Sequence, residues 1–106
     1  MDVFADNSTA EFQQASANQL RELYPAKWAE WGDALANRNI RAGVAKSKSY
    51  SVSRKDDVFA FLRLIFEYGP DFETKPPLAW AGEVLNDTDM RGTMKMALIA
   101  RRKGGA

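Results

Sequence analysis

The chain has 106 residues, 45% of them hydrophobic and 27% charged, with a formal net charge of +1. That length supports one core rather than two, the composition is too apolar for a disordered chain, and no run approaches the roughly 18 apolar residues of a membrane span. Cys and His are both absent, which excludes disulfides, thiol chemistry, His-assisted nucleophiles and the usual zinc sites.

Five helices are predicted, and no convincing strand pair. The first opens on a capping box, Ser8-x-x-Glu11, in which the hydroxyl accepts from the third helical amide and the carboxylate reaches back. Phe12, Ala15, Leu20 and Leu23 then fall near one stripe. Pro25 ends this helix and suits the first turn of the next. Helix two is expected over residues 25–44, with Trp28, Trp31 and Leu35 on one face and Ala34, Ala42 and Ala45 extending it. Gly32 and Gly43 weaken it by roughly 1 kcal/mol each relative to Ala. Residues 46–52, Lys-Ser-Lys-Ser-Tyr-Ser-Val, are polar and β-tolerant, and read as an extended loop or, failing that, a short strand.

Ser53-x-x-Asp56 signals the next N-cap. Helix three follows over about 54–68, carrying Val58, Phe59, Phe61, Leu62, Leu64, Ile65 and Phe66. These cover more than one stripe, so this helix is expected at the centre, contacted on several sides. Gly69 supplies a C-cap and Pro70 forbids continuation. Residues 71–77 form a loop whose Phe72 tucks under the domain. Helix four spans about 77–85 with Trp80, Val84 and Leu85 inward. Residues 86–89 break the chain and cap helix five, about 90–102, with Met90, Met94, Ala97 and Leu98 or Ile99 toward the core. The expectation is a single all-α domain over 1–106, a five-helix orthogonal-type bundle around helix three, frayed at 1–7 and 103–106.

Charge is unevenly spread. Residues 1–24, 25–57, 58–89 and 90–106 carry net charges of −3, +3, −4 and +5. Such a layout steers partners without specifying a fold. Met1–Asp6 lacks a basic stretch followed by an apolar one, so a cytoplasmic location is expected.

The second half of the chain has a recurring shape. It runs Asp57-Val58-x-x-Phe61-x-x-Leu64-x-Phe66-x-x-Gly69-Pro70-Asp71-Phe72, then Pro76-x-x-x-Trp80-Ala81-x-x-x-Leu85-x-Asp87, then Lys95. It resembles a small all-helical domain encoded beside, or fused to, effector and spike components of bacterial type VI secretion systems. The matching positions are helix stops and core aromatics, so the resemblance speaks for fold more than activity. The role it implies is an accessory that acts by contact, an adaptor, chaperone or immunity-type protein. It implies no catalytic residues.

The residues themselves offer three candidate sets. Asp56 and Asp57 open helix three, where the dipole favours acids, while Asp71 and Glu73 flank Phe72 in a loop suited to a basic partner. Arg38, Arg41, Lys46, Lys48, Arg54 and Lys55 lie in eighteen residues without an acid, interleaved with Tyr50 and serines. Arg91, Lys95 and Arg102 lie near one face of helix five. This is a composition for phosphate contact, although a pI of about 8.0 falls below the roughly 9 of a dedicated nucleic-acid domain, and a solvated face is the simpler reading. Trp28, near a helix start, is the better of the tryptophans for an exposed anchor. The serines have only Lys46 or Lys48 as base partners, with no supporting motif.

The expected function is therefore non-enzymatic protein binding, as an accessory of a bacterial secreted effector or spike component. Trp28 or Phe72 would serve as the apolar anchor, with Arg38, Arg41, Tyr50, Asp71 and Glu73 as further contacts. No catalytic, metal or cofactor residue is assigned, and no membrane partner. The alternative is a small nucleic-acid-binding regulator using residues 38–55 and helix five.

Overall fold

The computed structural model describes residues 9–105; the Ser8 capping hydroxyl and the tail at 1–7 lie outside them. Five α-helices follow in order: α1 (Thr9–Leu23), α2 (Pro25–Ser49), α3 (Lys55–Tyr68), α4 (Trp80–Leu85) and α5 (Gly92–Gly105), with a 3-10 turn at Phe72–Thr74 between α3 and α4. No strand occurs among the described residues. The fold is all-α, as expected.

Helix α3 is the axis of the bundle. It packs against α1, α2, α5 and the 3-10 turn. Val58, Phe61, Leu62, Leu64, Ile65 and Phe66 are each at most 6% exposed, and Phe59 is half-buried. Burying each such side chain contributes about 1.5–3 kcal/mol. Two aromatic clusters grip this rod, one near its C-terminal end and one at its middle. Phe66 meets Tyr24, Trp28 and Trp31 at centroid distances of 5.8, 6.1 and 4.8 Å. Phe61 meets Tyr50 at 6.2 Å and Phe72 at 5.2 Å. Gly69 terminates the helix at φ 108°, its amide donating to the Ile65 carbonyl. The N-cap is Arg54 rather than Ser53, without a side-chain capping bond.

Helix α2 departs from the sequence reading twice. Gly32 has φ 82° and ψ 159°, so two helical pieces join at a kink. The kink resets the buried stripe. Trp28 faces inward before it; Ala36, Ile40, Gly43, Val44 and Ser47 face inward after it. Leu35 is consequently 40% exposed, and Ala34, Ala42 and Ala45 are on the outside. The second departure is length. Residues 46–49 are helical rather than extended, and the chain turns only at Tyr50 and Ser51. Tertiary contact overrides weak propensity here: Ser47 is fully buried, its hydroxyl donating to the Val44 carbonyl at 2.7 Å, and its own carbonyl accepts from the Val52 amide at 2.9 Å.

The last two helices are shifted from expectation. Pro76 and Pro77 sit in turns ahead of α4, and Leu78 joins the core at 4% exposure. In α5 the inward residues are Lys95, Met96 and Ile99, whereas Met94 is 59% exposed and Ala97 is exposed. The rotation is fixed by close packing at the helix start: a Cβ on Gly92 would lie 2.3 Å from the Ser51 carbonyl oxygen. The helix also continues through 103–105, where fraying was expected.

Candidate functional site

Of the seven residues singled out for partner contact, three belong to the interior. Trp28 is 7% exposed, its ring on Phe66 and its Nε1 donating to Asp33 Oδ1 at 2.6 Å. The Gly32 kink lets the next helical piece close over it, so it is not an exposed anchor. Phe72 is 1% exposed against Phe61, which removes the other proposed anchor. Glu73 is 3% exposed and committed internally: its carboxylate accepts from Lys46 Nζ at 2.9 Å and from the Tyr50 hydroxyl at 3.0 Å. Tyr50 itself is half-buried. Burial, then the hydrogen bond to Glu73 and its charge, push this phenol up to about 12. Asp71 is exposed, 3.5 Å from Lys46 Nζ.

The same network takes Lys46 and others out of the expected basic surface. Lys46 also donates to the Pro70 carbonyl, so it ties α2 to the loop after α3 rather than facing a ligand. Arg54 lies 3.9 Å from Asp56. In α5, Lys95 is 3% exposed and donates to the carbonyls of Leu85 at 2.7 Å and Tyr50 at 2.8 Å. Its ammonium therefore meets the negative ends of α4 and α2, a favourable place for a cation. Arg102 stacks over Trp80 at 4.3 Å. Ser47 and Ser49 bond back to helix carbonyls, and Asp57 accepts from Thr93 at 2.6 Å, joining α3 to α5. Arg38 and Arg41 are exposed on α2 and pair with no carboxylate among the described residues; Lys48, Lys55 and Arg91 are exposed as well.

A second polar group was not anticipated. Tyr24, the residue between α1 and α2, donates to Glu67 Oε2 and accepts from Arg63 Nε at 3.0 Å. Lys103 Nζ lies 3.2 Å from Glu67 Oε1. Burial alone would raise the Glu67 carboxyl, but hydrogen bonds from Tyr24 and Lys103 and the charges of Lys103 and Arg63 hold it below its ordinary value. The Tyr24 phenol is raised, chiefly by burial, and its bond holds the Arg63 guanidinium higher still. The Arg63–Glu67 spacing of four was the available signal on α3; nothing local pointed to Tyr24 or Lys103.

Arg63, Glu67 and Lys103 rim a cleft of about 180 Å3 between α3 and α5. Its apolar floor is Leu64, Met96 and Ile99, at 6%, 4% and 1% exposure. Among the described residues no cluster of three or more Asp and Glu side chains is placed to hold a metal ion, and no helix is long and apolar enough to cross a membrane. Comparisons with protein-family models, with curated proteins and with solved structures return no match to this chain.

Proposed function

We propose that this protein is a non-enzymatic docking accessory, an adaptor, chaperone or immunity-type partner of a bacterial secreted effector. One observation carries the reading. On the outer face of α2, Arg38 and Arg41 stand without a carboxylate partner among the described residues, beside a Leu35 that is 40% exposed. Residues 34–55 contain no acid at all. An apolar contact edged by unpaired arginines has the make-up of a protein interface, and its complement is a partner segment bearing carboxylates. The type VI resemblance of residues 57–98 supplies the class of partner, and cytoplasmic loading or neutralisation of that partner supplies the setting.

The test is capture of partners from the native host at native expression, comparing the wild type with Arg38→Glu/Arg41→Glu. Recovery of one effector or spike protein by the wild type, lost with the double variant, supports the reading. The reading is overturned if the two capture the same proteins. It is equally overturned if the wild type shifts random DNA with affinity that falls steeply with salt, which is the signature of the nucleic-acid alternative.

A further inference from the structure

The cleft between α3 and α5 has the size, floor and charge of a side-chain receptor. Its volume is about 180 Å3, slightly larger than the roughly 150 Å3 cavity that accommodates a benzene ring. One aromatic or large aliphatic side chain fits; a helix does not. The floor is apolar: Leu64, Met96 and Ile99 line it with the small part of their surface that the core leaves uncovered, beside Ala60 and Ala100.

The rim decides what accompanies that side chain. Glu67 is fully engaged, one oxygen with Lys103 and the other with Tyr24. Arg63 spends only Nε, on the Tyr24 hydroxyl; its terminal nitrogens make no hydrogen bond among the described residues, and its side chain is 50% exposed. Two cations, Arg63 and Lys103, therefore face one carboxylate at the rim. Arg63 is ion-paired with Glu67 only through Nε, at 3.9 Å, so the two terminal nitrogens of its guanidinium are left to meet a second carboxylate.

We infer that this cleft is the anchor point for the partner: it receives one aromatic or large aliphatic side chain whose neighbour in the partner chain is an aspartate or glutamate, held by Arg63. The inference rests on the docking reading above and names the motif that reading requires.

The probe is the blocked peptide acetyl-Ala-Glu-Phe-Ala-amide, titrated into the 15N-labelled full chain. Saturable shifts are expected at the amides of Ala60, Arg63, Ala100 and Lys103, with a Kd of about 1–10 mM. Replacing the peptide glutamate by glutamine should weaken binding about five-fold or more, and replacing its phenylalanine by alanine should abolish it. Arg63→Gln should remove the preference for glutamate over glutamine. Ala100→Leu, on the exposed wall of the cleft, should fill it and abolish binding while leaving the thermal melt unchanged. Absence of saturable shifts at those amides, or equal affinity for the glutamate and glutamine peptides, overturns the inference. So does binding only of a peptide that ends in a free carboxylate, because the occupant is then a chain terminus. If Ala100→Leu still captures the host partner that Arg38→Glu/Arg41→Glu loses, the cleft assignment fails and the docking reading stands. If the wild type captures none, the docking reading itself fails.

Discussion

Replacing Lys95 with methionine should destabilise the fold by about 2–4 kcal/mol. The ammonium makes two hydrogen bonds, to the Leu85 and Tyr50 carbonyls. Bonds with one charged partner contribute about 1.5–3 kcal/mol each by substitution, so their joint loss is about 3–6 kcal/mol. The two carbonyls then differ. Leu85 is 1% exposed and stays dry, whereas Tyr50 is half-buried, so water can reach its carbonyl and recover part of the loss. Methionine matches the length of the lysine stem, so little cavity cost is added. At about 4–8 °C per kcal/mol for a domain of this size, the melting temperature should fall by about 8–32 °C. Urea and thermal melts measure both numbers, with exposed Arg91→Met on the same helix as a control expected to stay within about 0.5 kcal/mol. A Lys95→Met protein as stable as the wild type would refute the claim that this ammonium clamps the ends of α2 and α4.

Three further outcomes follow from the packing and the ionisations. Gly92→Ala should cost about 3 kcal/mol in urea melts, because its Cβ would press on the Ser51 backbone. Gly43→Ala meets only the ends of the Ile65 and Leu62 side chains and should cost about 1–2 kcal/mol after the helix-propensity gain. Gly32→Ala meets nothing, yet should cost about 1–3 kcal/mol through its positive φ alone. In melts against pH, the Tyr50 phenol, raised from 10 to about 12, contributes stability that is complete below pH 10 and is lost as pH climbs toward 12; Tyr50→Phe should lose less over that window. Glu67 has the opposite sign. Its folded value lies below 4.5, so its contribution is complete above that pH and disappears as pH falls through the depressed value, a component that Glu67→Gln should remove.

Helix α3 was legible to within a residue because all its local signals but the Ser53 cap agreed. An acidic first turn, a dense apolar run and a Gly-Pro stop all specify the same fourteen residues. The Gly32 kink was not legible, since one glycine in a helical pattern reads as a propensity cost and gives no hint of a positive φ. That omission propagated: an unbroken helix puts Leu35 inside with the tryptophans, whereas the kinked one puts Ala36 and Ile40 there and leaves Leu35 outside. Residues 46–49 failed for a different reason. Their serines and lysines favour loop by composition, but the fold buries Ser47 and gives Lys46 a partner 27 residues away, at Glu73.

The candidate site shows why a count of charges along a chain is a poor map of a protein's surface. Six cations between 38 and 55 and five beyond residue 90 suggest two basic faces. Folding spends the best-placed of them: Lys46 on Glu73, Lys95 on two helix ends, Arg102 on Trp80. These are long-range pairings, and no periodicity in the sequence encodes them. What remains is sparser and more informative. Arg38 and Arg41 share the exposed side of α2 with Leu35, and Arg63 bonds through Nε alone, its terminal nitrogens unused over an apolar floor. Cations left over after the interior is satisfied have not been selected by the packing of this chain. Their arrangement beside apolar surface is therefore the part of the structure on which the docking proposal rests.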